Sequence, residues 1–328
     1  MLEVDAFLTS FGWDSRVAER FEQLALDDAS TLVAGRIARV ERSSCLVATG
    51  ARDVVVSATT LPAVGDWVAI AELDGGDAAV VGVIERWSEL ARRDVDTGQA
   101  QVLAANVDLV LMTVPGDRPN LARVERESVL AWESGARPVV VVTKGDVAAP
   151  ELRADLERRL HDVDVIVTSS VNGDGLDAVV ALLAPSRTAV LIGPSGAGKS
   201  TLVNAILGED RLATGAVRDS DGRGRHTTTS RELVVVPSGG VLVDTPGLRS
   251  LGLIGDEGIA LAFADIEELA RGCRFADCAH DHEPDCAVIA AVADGSLQRE
   301  RLASYRMFLG EVDDSATKAE ADRRSRRR

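Results

Sequence analysis

Aromatic side chains are scarce in this chain. Six Phe, four Trp and one Tyr supply only 3% of its 328 residues, so its cores must be mostly aliphatic. Positive charge is also short: 36 basic residues face 52 acidic ones, for a net charge of -16. That balance excludes a protein coated in cationic surface to grip nucleic acid and leaves room only for a local basic patch. Lysine is almost missing. Only Lys144, Lys199 and Lys318 stand among the basic residues, so Arg serves almost wherever a positive charge will do. Long apolar runs are absent too. None approaches the ~18 residues that span a bilayer, and residues 1–14 offer neither the basic start nor the apolar stretch of a secretory signal. A soluble, cytoplasmic protein with no membrane partner is expected. Cysteine is confined to Cys45 and to Cys273, Cys278 and Cys286; in a cytosolic chain the crowded three point to metal rather than to disulfides.

At roughly 100–200 residues per domain, the chain should hold two or three domains. Residues 1–30 read as an acidic, partly helical lead-in. Short β-rich runs follow at Leu32 to Val40, Cys45 to Thr49, Asp53 to Ser57, Asp66 to Ala71 and Ala79 to Ile84, with turn signals between them. Such a series suggests a small barrel, with an OB-fold as the best named candidate. From about residue 100 to 255 strands alternate with helices. Val/Leu-rich runs at 107–114, 138–143, 163–168, 189–192, 233–236 and 241–243 are separated by helical patterns at 121–134, 151–160, 176–183 and 199–207. Buried-type strands with amphipathic helices between them imply a mostly parallel, doubly wound α/β sheet covered on both faces. Residues 256–310 read as helix, cysteine cluster and helix, and the polar tail ends in an Arg-rich run, Arg323 to Arg328. The expected division is therefore 1–95, lead-in and barrel; 96–255, α/β domain; 256–328, helical metal-binding domain with the Arg-rich tail.

Gly193-Pro194-Ser195-Gly196-Ala197-Gly198-Lys199-Ser200 satisfies G-x-x-x-x-G-K-[ST] in full and lies between an apolar strand and a helix. Small residues let backbone N–H groups turn in around phosphate oxygens, and the helix N-terminus adds its positive dipole end. Lys199 is placed to reach the β- and γ-phosphates, and Ser200 to put its hydroxyl on Mg²⁺. Asp244-Thr245-Pro246-Gly247 follows the strand at 241–243; Asp244 there can hold Mg²⁺, usually through water, and Gly247 can present an N–H to a γ-phosphate. Between these motifs lies Gly222 to Thr229, a polar, Gly-rich stretch suited to a switch loop. Of its threonines, Thr228 is the favoured Mg²⁺ ligand.

Thr143-Lys144-Gly145-Asp146 resembles the guanine-reading N-K-x-D motif of GTPases, with Thr143 where Asn is usual. An Asp there accepts from guanine N1 and N2, a donor pair that adenine lacks. Thr168-Ser169-Ser170 resembles the next GTPase motif, whose backbone contacts the base. The base-reading motifs precede the phosphate loop, the reverse of ordinary GTPases, so the domain is expected to be circularly permuted. The second switch then runs straight into the carboxy-terminal domain, which offers a mechanical route from nucleotide to metal domain.

Cys273, Cys278, His280 and Cys286 supply three thiolates and an imidazole, a set suited to a closed, structural, tetrahedral Zn²⁺ site, one per chain; His282 is a competing imidazole.

Together these pieces resemble the bacterial ribosome small-subunit-dependent GTPase A family, RsgA. The resemblance is carried by Gly65 to Val68, Thr143 to Asp146, Gly193 to Thr201, Gly224 to Thr229, Asp244 to Gly247 and Cys273 to Cys286. It implies binding of the small (30S) subunit and its 16S rRNA near the decoding region, GTP hydrolysis to GDP stimulated by that subunit, and a role in late subunit maturation. It also points to His226 as the group that positions or deprotonates the attacking water, because Leu248 stands where Ras-like enzymes carry a Gln. A monomer is expected. Basic surface for the RNA is expected at Arg36, Arg39, Arg42 and Arg52, at Arg92 and Arg93, and in the tail. The alternatives are a GTP-dependent RNA-binding switch with incidental hydrolysis and an ATP-using P-loop enzyme, against which Asp146 argues.

Overall fold

The computed structural model describes residues 6–26, 32–41, 43–50, 52–57, 62–72, 78–93, 100–184, 186–209, 231–237, 239–244 and 257–326. The lead-in forms α1 (Ala6–Ser10) and α2 (Ser15–Leu26). The scarce aromatics gather under it. The Trp13 ring meets Trp67 edge-on at 5.2 Å and Phe21 at 6.0 Å, and Leu8, Val17 and Ile84 complete the cluster.

Five strands follow at the expected places: β1 (Leu32–Val40), β2 (Ser44–Thr49), β3 (Asp53–Ser57), β4 (Trp67–Glu72) and β5 (Ala78–Val83). β1 pairs antiparallel with both β2 and β4, β2 with β3, and β4 with β5, around a core of Ile37, Cys45, Val47, Val56, Val68 and Ile70. Spatial order β3-β2-β1-β4-β5 is that of a partly open OB-type barrel. A shift of register between Ile37 and Arg39 bends β1.

β6 (Glu89–Arg93) and β7 (Ala100–Ala105) form a separate hairpin that the sequence reading lacks. It straddles the expected 95/96 boundary. Its strands, Glu-Leu-Ala-Arg-Arg and Ala-Gln-Val-Leu-Ala-Ala, contain one β-branched residue between them, so no strand signal was available. The hairpin is fastened to the barrel at Gly65. With φ of 91°, a Cβ there would fall 2.2 Å from the Ala105 carbonyl oxygen. Next to it the fully buried Asp66 accepts from Arg86 Nε and a terminal nitrogen at 2.7 and 2.8 Å.

The α/β layer runs β8 (Leu109–Pro115), α3 (Leu121–Glu133), β9 (Arg137–Thr143), a 3-10 turn at Gly145–Val147, α4 (Leu152–Arg159), β10 (Asp164–Val167), α5 (Leu176–Leu183), β11 (Thr188–Ile192), α6 (Lys199–Leu207), β12 (Arg231–Val235) and β13 (Val241–Asp244). The order across the sheet is β10-β9-β8-β11-β13-β12, parallel except for β12. One face is covered through Val124, Ala131, Leu152 and Leu156, the other through Val179, Leu183, Leu202 and Ile206. Burial on both faces explains why the strands read as unbroken Val/Leu runs. β12 also pairs antiparallel with β1, Arg39 against Glu232 and Val40 against Arg231, so barrel and α/β layer share one eleven-stranded sheet.

The carboxy-terminal part holds α7 (Glu257–Ala262), α8 (Ala264–Ala270), α9 (Ala287–Asp294) and α10 (Arg299–Arg326). Its core of Ile259, Phe263, Ile266, Val288, Leu302, Tyr305 and Phe308 includes Val129 of α3. α7 crosses α3 closely: a Cβ on Gly258 would lie 2.5 Å from the Val129 carbonyl. Arg301 of α10, 4% exposed, ties α10 to α7, α8 and the end of α4. It donates to both oxygens of Asp265 at 2.6 and 2.5 Å, to the Ala262 carbonyl at 2.9 Å and to the Arg159 carbonyl at 2.5 Å. α10 continues as helix well past Gly310, where the sequence suggested only a polar tail. No helix among the described residues is long and apolar enough to cross a membrane.

Candidate functional site

β11 delivers the chain into the phosphate loop from the middle of the parallel sheet. At Gly193, φ is 140° and a Cβ would strike the Thr113 hydroxyl at 2.2 Å and its carbonyl at 2.7 Å, so only glycine lets the loop leave the strand here. Gly196 and Gly198 also hold positive φ, 76° and 85°. Those turns bring the chain round into α6, which starts at Lys199 with its N-terminus at the loop. Lys199 Nζ donates to the Gly193 and Pro194 carbonyls at 2.8 and 2.7 Å, so the ammonium lies across the loop it would serve. Ala197 is buried beneath the loop, Ser195 and Gly196 are exposed at its tip, Pro194 and Ser200 are half-buried, and Thr201 is exposed on α6.

The base-reading motif joins the loop through Thr143. Its buried hydroxyl donates to the Ala197 carbonyl at 2.5 Å, with the Val114 carbonyl at 3.4 Å as a second, longer contact. Thr in place of Asn thus still ties the two motifs together. Lys144 sits at φ 53°, a left-handed backbone that few side chains adopt. Its Nζ pairs with both Asp117 oxygens at 3.1 and 2.9 Å, and the Lys144 hydrogen bond holds the Asp117 carboxyl below its usual range against a smaller upward push from desolvation. Gly145 N–H donates to the Thr168 carbonyl at 2.8 Å, which brings the next motif alongside. There the buried Ser169 hydroxyl donates to Asp146 Oδ1 at 2.8 Å, and Ser170 is exposed at the rim. Asp146 is exposed with its second oxygen uncommitted among the hydrogen bonds described.

On the γ-phosphate side, β13 lies parallel to β11, with Val243 opposite Val190, so its last residue, Asp244, ends beside the strand that leads into the phosphate loop. Gly247, His226, Thr228 and Leu248 lie outside the described residues.

The four expected metal ligands converge. Donor atoms of Cys273, Cys278, His280 and Cys286 all lie within 4.8 Å of one another, and the cysteines are not disulfide-bonded. Cys273 and Cys286 sulfurs are 3.7 Å apart, and each is 3.5 Å from His280 Nδ1. A tetrahedral ion with Zn–S of about 2.3 Å and Zn–N of about 2.0–2.1 Å requires S···S near 3.8 Å and S···N near 3.6 Å. The spacing fits. Burial lowers the His280 pKa and so favours the neutral ring that ligation needs. His282 is excluded by geometry: it is exposed and faces Asp281 at 3.3 Å. Glu283 shapes the ligand loop by accepting from the N–H groups of Ala279, Asp281 and His282 at 3.0, 2.8 and 3.1 Å.

A phosphate loop placed after the base-reading motifs in one parallel sheet, with a barrel before it and a Cys₃His cluster behind, agrees with what comparison finds. The RsgA GTPase family model matches residues 83–254. The chain belongs to the RsgA GTPase family. A Streptomyces coelicolor protein named small ribosomal subunit biogenesis GTPase RsgA is 44% identical over 97% of this chain and 90% of that one. One of the same name from Opitutus terrae is 39% identical over 96% and 94%. Among solved structures, YjeQ from Thermotoga maritima aligns with TM-score 0.65 at 24% identity, covering 86% of this chain and 99% of that one. YloQ, described as a circularly permuted GTPase, aligns with TM-score 0.65 at 26% identity, covering 87% and 96%.

Two features of this RsgA-family site carry no signal in the sequence. Thr113, 1% exposed, donates to the Ile192 carbonyl at 2.7 Å and packs under Gly193, yet in sequence it is one polar residue inside an apolar strand. Asp117 lies 27 residues before its partner Lys144. One expected feature is overturned. Arg36 is fully buried and unavailable to an RNA. It stacks over Trp67 at 5.0 Å and donates to the carbonyls of Gly65 and Asn106, each at 3.2 Å, and of Phe11. Desolvation pushes its pKa down to about 10, still well above neutrality. It joins lead-in, barrel and α/β layer. Arg39 pairs with Glu41 at 3.3 Å, Arg52 is exposed, and Arg42 and the side chains of Arg92 and Arg93 lie outside the described set.

Proposed function

We propose that this chain hydrolyses GTP to GDP and phosphate and assists late maturation of the small (30S) ribosomal subunit, which it binds through that subunit's 16S rRNA in the cytoplasm. The Thr143–Ala197 hydrogen bond carries the nucleotide part of the reading, because it builds a base-reading motif and a phosphate loop into one site. The family's names, given above, carry the ribosomal part.

In this reading Asp146 accepts from the guanine N1 and N2 donors, steadied by Ser169, while Lys144 lies along the base and Ser170 offers backbone contact. The loop from Gly193 to Thr201 holds the α- and β-phosphates through its backbone N–H groups, Pro194 having none to give, and Lys199 leaves the loop carbonyls for the β- and γ-phosphates, where charge develops. Ser200, Thr228 and Asp244 would hold Mg²⁺, which would supply neutralisation of the phosphate charge. Gly247 would meet the γ-phosphate through its N–H. Leu248 offers water no side-chain hydrogen bond, so intrinsic turnover is slow and the water is oriented by His226 when the subunit is bound. Cys273, Cys278, His280 and Cys286 would hold one structural Zn²⁺. The same Leu248 favours a second reading, a GTP-dependent RNA-binding switch in which hydrolysis is incidental.

GTP turnover by the metal-loaded protein alone, with purified small subunits and with large subunits tests this. Multiple turnover stimulated by small subunits alone is expected. Tight GTP binding with no stimulation would refute the hydrolytic role and leave the switch.

A further inference from the structure

Asp117 has no place in the GTPase motifs, yet it anchors the one lysine of the base-reading loop. It sits in the turn between β8 and α3, and Lys144 follows β9. Gly116 presses this turn onto the loop. Its N–H donates to the Thr143 carbonyl at 2.8 Å, and a Cβ there would meet the Ala148 Cβ at 2.7 Å and the Lys144 carbonyl at 2.9 Å. Asp117 therefore reaches Lys144 from backbone already fixed against it. Both its oxygens accept from Nζ, at 3.1 and 2.9 Å; Arg118, its other cationic neighbour, is at 3.8 Å and largely exposed.

Two residues beyond Lys144 stands Asp146, whose Oδ1 accepts from Ser169 at 2.8 Å. The one carboxylate within the Thr143–Asp146 loop itself is that of Asp146, the very group that must accept from guanine. A lysine paired with Asp146 would compete with the base for its acceptor sites.

We propose that Asp117 is a positioning residue for guanine recognition, holding Lys144 off Asp146 so that the Asp146 carboxylate is free to read N1 and N2 of the base. This rests on the guanine-nucleotide reading above. An exposed ion pair with no such role adds little to a fold, so the two roles separate experimentally. Hypoxanthine keeps the N1 donor and lacks the N2 amine. Competition at Asp146 therefore costs a guanine nucleotide more than an inosine one.

Affinities of the full-length, metal-loaded protein for GDP, IDP and ADP are measured for the wild type, Asp117→Ala and Asp117→Glu, alongside thermal unfolding. The expected result is GDP affinity about 3- to 10-fold weaker in Asp117→Ala, a smaller IDP-to-GDP Kd ratio, an unchanged melting temperature and recovery of both in Asp117→Glu. Asp117→Ala binding GDP within about 1.5-fold of wild type with an unchanged ratio would overturn the proposal. A melting temperature that falls together with affinity at an unchanged ratio would assign Asp117 a structural role and overturn it as well. A wild type that does not prefer GDP to ADP would instead overturn the guanine-nucleotide reading beneath it.

Discussion

Replacing Thr143 by Val tests how the two halves of the nucleotide site are joined. The substitution keeps shape and volume, so no cavity opens and packing against Gly198, whose Cβ position lies 3.4 Å from Thr143, is preserved. What goes is one proton. A hydroxyl has a single hydrogen to donate, and the 2.5 Å contact to the Ala197 carbonyl outcompetes the 3.4 Å contact to Val114. Ala197 and Thr143 are both buried, so water does not replace the lost donor. Removing one partner of a buried hydrogen bond costs about 1–3 kcal/mol. At about 1.4 kcal/mol per factor of ten, that is a loss of roughly 5- to 150-fold if it falls on the loop conformation that binds phosphate. Guanine-nucleotide affinity, read by a fluorescent GDP analogue, should drop within that range in Thr143→Val. Thr143→Ser, which keeps the proton, should stay near wild type. Affinity of Thr143→Val within about twofold of wild type, with an unchanged melting temperature, would refute the claim that this hydroxyl holds the motifs together.

Arg301→Met should destabilise the protein by about 3–5 kcal/mol, since it leaves Asp265 charged and partly buried without its partner; urea unfolding at pH 7 measures this. Burial pushes the Asp265 carboxyl up, but the Arg301 hydrogen bonds and charge, with a contribution from His161, outweigh it and hold the pKa below normal. The stabilisation is therefore complete above the unfolded carboxylate value of about 3.9 and is lost as pH falls below it. The gap between wild type and Arg301→Met should shrink toward pH 4 and below, and a gap constant from pH 7 to 3 would contradict the assignment. Metal analysis should find one zinc per chain, lost in Cys278→Ser and kept in Cys45→Ser, whose site is a buried thiol in the barrel core. Retention of a full equivalent in Cys278→Ser would exclude the cluster as the site.

The parts of this site that sequence made legible are those whose chemistry is local. The phosphate loop needs glycines and one lysine within eight positions, and the Cys₃His set has its ligands within fourteen. Strands buried on both faces announced themselves as Val/Leu runs. What stayed hidden depends on distance or on the absence of a pattern. Nothing near Thr113 says that its hydroxyl faces Ile192, 79 residues later. Arg36 reads as surface in the sequence because charge usually lies there. Its strand departs from simple alternation, with Gly35 to Ala38 buried in an unbroken run, so both faces are covered at its centre. α10 beyond Val312 lacks the apolar period by which a helix is recognised, and it continues from a turn already nucleated on Phe308 and Tyr305.

The joint between β1 and β12 gives the barrel a second service, that of a guard. A parallel sheet this apolar has to end somewhere, and a bare terminal strand is a template on which another chain can polymerise. In this molecule the α/β layer ends on β12, whose Leu233 and Val234 are buried, and the barrel's first strand lies across that end, pairing at Arg39 and Val40. A fragment cut at the domain boundary to isolate the nucleotide-binding half would lose the lid of its own sheet. The barrel's place at the front of the chain then has meaning for biosynthesis: the strand that protects β12 has left the ribosome long before the edge it protects is made.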